Sequence, residues 1–132
     1  MSTPDIHIAV VDDDESLCRS MSRLLRAASF WPVVYGSAEA FLADSVHEHF
    51  DCIVLDIQLD GMSGLELHEK LVTAGVSTPV IFITAHDAPE VRTQAENAGC
   101  AGYFRKTESG SSVLAAIRKA VGTSDAGRPI KL

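Results

Sequence analysis

The sequence has few of the features that mark secreted, membrane-spanning or disulfide-stabilised proteins. Its 132 residues include only three cysteines, the isolated Cys18, Cys52 and Cys100. Their number and spacing fit neither a disulfide framework nor a zinc site, and they indicate small core residues in a reducing compartment. No apolar run approaches the roughly 20 residues that cross a bilayer, and the N-terminus lacks the basic and apolar regions of a signal peptide. We therefore expect a cytoplasmic protein that does not contact membranes.

Basic side chains are also scarce. There are 11 Lys and Arg against 18 Asp and Glu, which gives a formal net charge of −7. Because proteins meet the nucleic-acid backbone with Lys and Arg, this balance argues against direct nucleic-acid binding by this chain. We expect no DNA-binding effector after Val121 within these 132 residues. We expect one domain over residues 1–121, followed by a flexible tail or linker stub over residues 122–132.

Short apolar runs and amphipathic segments alternate five times along the chain. The runs predict strands at residues 6–11, 32–35, 52–55, 79–83 and 101–105. Apolar residues at three- and four-residue spacing predict helices over about 17–28, 37–43, 63–73, 87–99 and 111–121. Strands that are apolar throughout, with helices between them, are typical of a parallel sheet covered on both faces. The sequence therefore predicts an α/β protein with a doubly wound, five-stranded parallel sheet.

Polar residues follow four of the five predicted strands. They are Asp12 and Asp13 after the first, Asp56 after the third, Thr84 after the fourth and Lys106 after the fifth. Ligands of such sheets bind outside the carboxyl ends of the strands, so we expect these side chains to share one site. Three carboxylates repel one another unless a cation or a shared proton intervenes, and oxygen ligands suit Mg²⁺ or Mn²⁺ rather than zinc. Taken singly, each residue could be a turn former, a cap or a solvated charge, so the prediction depends on the whole set. That set indicates metal-assisted phosphoryl transfer with a carboxylate oxygen as the nucleophile.

The same residues resemble the motifs of receiver (phosphoacceptor) domains of two-component response regulators. Residues 10–14 are similar to that family's acidic pair after the first strand, and residues 54–56 to its phosphoacceptor strand. Residues 83–85 and 98–106 are similar to its hydroxyl strand and to the segment that ends in its signature lysine. The resemblance covers about residues 6–121 and implies a (βα)5 flavodoxin-like fold with helices on both faces.

The resemblance also implies a role for each residue. Asp56 would accept a phosphoryl group from the phosphohistidine of a histidine kinase or phosphotransfer protein, and Lys106 and Thr84 would contact the phosphoryl oxygens. A Mg²⁺ ion, with Mn²⁺ as the second choice, would be held by Asp12 (mainly through water), Asp13, Asp56 and the backbone carbonyl of Gln58. The protein would promote its own phosphorylation and dephosphorylation without being an enzyme in the ordinary sense.

The resemblance further implies a switch. Thr84 would move toward the phosphoryl group and Tyr103 would turn inward behind it, which would remodel the face formed by the fourth helix, the fifth strand and the fifth helix. A partner or a second copy of the chain could bind this face. Gln58 and His86 border the phosphoryl site in this family and could tune the lifetime of the acyl phosphate.

Two positions depart from the family pattern. Thr107 replaces a proline that usually follows the lysine through a cis bond. A cis bond before a residue other than proline costs roughly 3 kcal/mol, so we expect a trans peptide and an altered loop here. Leu59 and Asp60 replace a usual Met-Pro pair, and Asp60 adds a negative charge near the site.

Two other functions stay open from the sequence. Asp12–Ser16 imitates the first half of the motif of haloacid-dehalogenase-type phosphatases, in which Asp12 would be the nucleophile, but Ser16 replaces the required Thr or Val. A degenerate receiver that binds partners without phosphorylation is the second alternative. The output is open as well, because the chain could be a stand-alone receiver or one excised from a longer DNA-binding regulator.

Overall fold

The computed structural model describes residues 6–45 and 49–122 as five strands that alternate with five helices. The strands are β1 (His7–Val11), β2 (Trp31–Tyr35), β3 (Cys52–Asp56), β4 (Val80–Thr84) and β5 (Gly102–Arg105). The helices are α1 (Glu15–Ala27), α2 (Ala38–Ser45), α3 (Gly64–Thr73), α4 (Pro89–Asn97) and α5 (Gly110–Val121). The predicted order is confirmed, with small shifts at the boundaries. None of the helices in this described part combines the length and apolar character needed to span a membrane.

All neighbouring strands run parallel, in the order β2-β1-β3-β4-β5. The predicted doubly wound sheet is therefore confirmed. β2 lies on one side of β1, whereas β3, β4 and β5 follow one another on its other side. The strand order therefore reverses between β1 and β3. This reversal opens a crevice at the carboxyl ends of β1 and β3, where such sheets bind their ligands.

Alternate residues of the central strands pack into two separate cores, one on each face of the sheet. In β1, Ala9 and Val11 join the cluster that α2, α3 and α4 cover, which includes Phe41, Leu67 and Ala95. Ile8 and Val10 point the opposite way and pack with residues of α1 and α5 such as Leu25 and Ile117. Because successive strand residues face opposite sides, a strand buried on both faces must be apolar at nearly every position.

The predicted helix cover on both faces is confirmed, but it is incomplete over the two edge strands. In β2, Trp31 and Val34 are exposed, and in β5, Arg105 is exposed. By contrast, every residue of β3 and β4 is buried. An edge strand has a sheet neighbour on one side only, so its helix cover is less complete and part of its surface meets solvent.

Side-chain caps fix where the helices next to the site begin. Asp14 caps α1 by accepting hydrogen bonds from the backbone N–H groups of Ser16 and Leu17. Ser63 and Glu66 form a capping box at the start of α3, a pattern that the S-x-x-E spacing predicts. Ser109 caps α5, which is why this helix begins one residue earlier than predicted. The predicted tail or linker stub lies outside the described residues from position 123 onward.

Candidate functional site

Three carboxylates meet at the carboxyl ends of β1 and β3. One oxygen from each of Asp12, Asp13 and Asp56 lies within 4.8 Å of the other two. Asp12 and Asp56 are almost fully buried, with 1% and 2% of their surfaces exposed, whereas Asp13 is exposed. The base of the site is therefore buried and its rim is exposed to solvent. The prediction that these three residues lie together is confirmed.

Lys106 reaches into the same cluster from the end of β5. Its Nζ lies 3.0 Å from Asp12 Oδ2 and 3.1 Å from Asp56 Oδ2. Its backbone N–H donates to the carbonyl of Thr84, which sets the lysine beside the end of β4. Burial by itself lowers the pKa of the ammonium group, but the hydrogen bonds to Asp12 and Asp56 outweigh this effect and raise the pKa above 10.5. Lys106 is therefore a permanent positive charge between two buried carboxylates.

One lysine does not balance three carboxylates. Burial raises the pKa of Asp12 from 3.8 to about 6, although hydrogen bonds from the Asp14 N–H and from Lys106 act in the opposite direction. Asp12 Oδ2 is also buried without a hydrogen bond of good geometry. Buried charges are stable only when they are paired or bound to a metal. The donor set, in which one lysine is shared by two buried carboxylates and a third lies close by, therefore fits a hard divalent cation such as Mg²⁺.

A tight loop follows Asp56 and fixes the direction of its side chain. The Gln58 N–H donates to Asp56 Oδ1 at 3.0 Å, and the Gly64 N–H donates to the Ile57 carbonyl at 2.9 Å. A Cβ atom at position 64 would lie 2.1 Å from the Asp56 carbonyl oxygen, so only glycine fits there. The loop therefore folds back on β3 and leaves little freedom to the Asp56 carboxylate.

Thr84 lies at the end of β4, and its hydroxyl is held by the next turn. Thr84 Oγ1 donates to the His86 carbonyl and accepts from the His86 N–H, both at 3.0 Å. The His86 ring in turn hydrogen-bonds the side-chain carbonyl of Gln58. These contacts connect the loop after β3 to the loop after β4 across the site. To donate to a phosphoryl oxygen, the Thr84 hydroxyl must first release the His86 carbonyl.

Comparisons with known proteins agree with this geometry. The family model described as "Response regulator receiver domain" matches residues 8–118. This chain belongs to the response regulator receiver domain family. The match covers all five strands except the first residue of β1, and it includes Asp12, Asp13, Asp56, Thr84 and Lys106. The family match favours a receiver domain over the phosphatase considered from the sequence.

Curated relatives and solved structures support the same family. The response regulator protein TmoT of Ectopseudomonas mendocina is 33% identical over 92% of this chain and 55% of its own length. The transcriptional regulatory protein FixJ of Azorhizobium caulinodans is 32% identical over 89% of this chain and 56% of its own. The chain thus spans about half the length of these curated relatives.

Two crystal structures illustrate the likeness of fold. The FixJ-N structure superposes with a TM-score of 0.82 at 29% identity, covering 90% of this chain and 95% of that one. A CheY-like receiver domain protein from Methanospirillum hungatei superposes with a TM-score of 0.85 at 25% identity, covering 92% of this chain and 98% of that one. Both are receiver folds of nearly the same extent as the domain described above.

In this receiver domain, Tyr103 lies in a small charged cluster next to the loop after β4. Its ring is buried, and its hydroxyl donates to Asp87 Oδ1 at 3.0 Å. The Arg92 guanidinium lies 4.8 Å from the ring centre and 3.6 Å from Asp87. Tyr103 is therefore tied to the segment that begins three residues after Thr84. Arg105 Nε lies 4.0 Å from the same Asp87 carboxylate.

Sequence reasoning missed two of these contacts. Asp87 begins the predicted fourth helix, and nothing in the sequence pairs it with Tyr103, 16 residues away. The Asp14 cap could have been recognised from the position of this residue just before an amphipathic helix. The peptide after Lys106 is trans as expected, since the described residues contain no cis bond.

Proposed function

We propose that Asp56 of this receiver domain is the phosphoacceptor and that Lys106 and Thr84 bind the transferred group. The observation that carries the proposal is the position of Lys106 Nζ, which bridges Asp12 and Asp56 at about 3 Å at the topological switch point of the sheet. A positive charge fixed at this point can neutralise charge that a phosphoryl group brings to Asp56, without reorganising during the reaction.

The proposed reaction transfers a phosphoryl group from a phosphohistidine. One oxygen of Asp56 bonds to phosphorus while the P–N bond breaks, and the imidazole nitrogen leaves with the bonding electron pair. Lys106 is already 3.1 Å from Asp56 Oδ2 and stabilises the phosphoryl oxygens as the acyl phosphate forms. Thr84 joins Lys106 once its hydroxyl hydrogen leaves the His86 carbonyl. Most of the rate enhancement in such transfers comes from positioning and electrostatic stabilisation.

The acidic cluster is the proposed Mg²⁺ site, in which Mn²⁺ could substitute. The residues that would hold the ion are Asp12, Asp13, Asp56 and the backbone carbonyl of Gln58. A bound cation would neutralise the carboxylates and polarise phosphoryl oxygens. The short separation of the three carboxylates supports this assignment, as does the presence of a single lysine between two of them.

The proposed switch starts at Thr84. Movement of its hydroxyl disturbs the turn at His86 and, through Asp87, removes the hydrogen bond that holds Tyr103. The face formed by α4, β5 and α5 then changes shape for a partner or a second copy of the chain. The proposed phosphodonor is a histidine kinase or a phosphotransfer protein. Residues 1–121 would be the receiver domain, and residues 122–132 would be a flexible tail or linker stub.

The proposal is tested by the intact mass of the protein after incubation with acetyl phosphate and Mg²⁺. Wild type should gain the mass of one phosphoryl group, and the gain should disappear with EDTA or in Asp56→Asn. Asp60→Asn is the matched control, because it removes an exposed carboxylate four residues away and should still be labelled. If no variant is labelled and no phosphate is released to solvent, the proposal fails, and the domain acts as an interaction module that does not need phosphorylation.

A further inference from the structure

The loop between β3 and α3 touches α2 through one side chain. Glu39, in the first turn of α2, accepts a hydrogen bond from the backbone N–H of Met62 at 2.9 Å. The two residues are 23 positions apart, so this contact joins two separate elements. The hydrogen bond from the Met62 N–H also lowers the pKa of Glu39, which keeps the carboxylate ionised.

The loop tip lies directly against this carboxylate. Gly61 has a positive φ of 77°, and a Cβ atom built at this position would lie 2.7 Å from Glu39 Oε2. A side chain at position 61 would therefore clash with Glu39 besides straining the backbone. The positive φ favours glycine at this position, and a side chain here would push the flexible end of Glu39 away from the Met62 N–H.

The base of the same loop is fixed independently. The Gly64 N–H donates to the Ile57 carbonyl, and Gly64 packs against the Asp56 backbone. Gln58 lies between these two anchors, with its N–H bound to Asp56 Oδ1. With the Ile57–Gly64 bond at the base and Glu39 at the tip, the segment around Gln58 is held at both ends.

We infer that Glu39 is a positioning residue for the metal site, which acts by holding the loop that carries the Gln58 carbonyl. The inference rests on the proposed function, since that function assigns this carbonyl to the cation. Glu39 does not touch Asp12, Asp13 or Asp56 in any contact that the described residues show. It acts through the Met62 N–H, which restricts the loop before the ion arrives and so reduces the ordering that binding requires.

The test compares two substitutions of Glu39 by calorimetric titration with Mg²⁺. Glu39→Ala removes the acceptor and should weaken Mg²⁺ binding about five-fold, the equivalent of one net hydrogen bond. Glu39→Gln keeps an acceptor oxygen while it removes the charge, and it should bind within about two-fold of wild type. The matched control is Glu69→Ala, which removes an exposed carboxylate of α3 that lies beside α4.

Amide hydrogen exchange of the metal-free protein supplies a readout that does not depend on the ion. The Met62 amide should exchange faster in Glu39→Ala than in wild type or Glu39→Gln. If Met62 loses protection but Mg²⁺ affinity is unchanged, the contact only tethers the loop, and the inference is overturned. If Glu39→Gln or Glu69→Ala weakens Mg²⁺ binding as much as Glu39→Ala does, the effect comes from charge, and the inference is overturned as well.

The steric contact at Gly61 gives a further check. Gly61→Ala should weaken Mg²⁺ binding more in the wild-type background than in Glu39→Ala, because removing Glu39 removes the clash and leaves only the backbone strain. Equal effects in both backgrounds would contradict the inference. Absence of Mg²⁺ binding by wild type would instead refute the proposed function itself.

Discussion

Replacing Asp12 by asparagine should stabilise the metal-free protein while it damages the site. Asp12 is 1% exposed, and burial raises its pKa from 3.8 to about 6. The native state therefore binds this proton more tightly than the unfolded chain does. The contribution of Asp12 to stability is then most favourable below about pH 4 and is lost as the pH rises through about 6. A shift of about two pKa units corresponds to at most about 3 kcal/mol in the free energy of unfolding.

Asparagine does not titrate, and its side-chain oxygen can still accept the hydrogen bond that the Asp14 N–H donates to Asp12 Oδ1. The Asp12→Asn variant should therefore be more stable than wild type by up to about 3 kcal/mol at neutral pH, and the difference should vanish near pH 4. Urea unfolding in EDTA, at several pH values between these limits, measures both quantities. A variant that is less stable at neutral pH, or a difference that does not change with pH, would refute the reasoning.

Magnesium should reduce the stability advantage of Asp12→Asn over wild type. The ion stabilises a protein in proportion to its affinity for the native state, so saturating Mg²⁺ should raise the stability of wild type more than that of Asp12→Asn. The same urea titrations repeated with Mg²⁺ test this expectation. An equal gain in the two proteins would mean that Asp12 does not take part in cation binding.

Two further predictions concern stability. His68 is 6% exposed and packs edge-on against Phe82, and burial lowers its pKa below 6.5. The free energy of unfolding should therefore fall as the pH drops below that value, and it should fall less in His68→Leu than in wild type between about pH 7.5 and 5.5. An equal fall in the two proteins would show that His68 is not the cause. Gly64→Ala should lower the free energy of unfolding by about 1–3 kcal/mol, the range for overpacking, because the new Cβ would meet the Asp56 carbonyl. Gly36→Ala is the control, since there is open space around Gly36, and it should change the free energy of unfolding by less than about 1 kcal/mol. Thermal or urea melts measure both values.

The fold could be predicted from the sequence because its pattern is simple. Five apolar runs separated by helical segments admit few arrangements, since crossover connections are right-handed and ligands collect at the carboxyl ends of strands. For this reason the meeting of Asp12, Asp56 and Lys106 was predictable although 94 residues separate the first from the last. The exposure of Trp31 and Val34 could not be predicted from the apolar character of these residues, because it depends on the position of β2 at the edge of the sheet.

The finer contacts of the site depend on three-dimensional packing that no local pattern encodes. The bond between Glu39 and the Met62 N–H joins two helix–loop units, and neither residue type is unusual at its position. The hydrogen bond from Tyr103 to Asp87 likewise depends on how the loop after β4 lies against β5. In contrast, the Ser63 capping box could be predicted, because both of its partners lie within four consecutive residues.

The most direct test of the central claim locates the phosphoryl group on one residue. Wild type treated with acetyl phosphate and Mg²⁺ is reduced with borohydride, which converts an aspartyl phosphate to homoserine, and the peptides are then sequenced by mass spectrometry. We predict homoserine at position 56 and an unmodified aspartate at positions 12, 13 and 60. Homoserine at position 12 would instead support the phosphatase mechanism and contradict the assignment of Asp56 as phosphoacceptor.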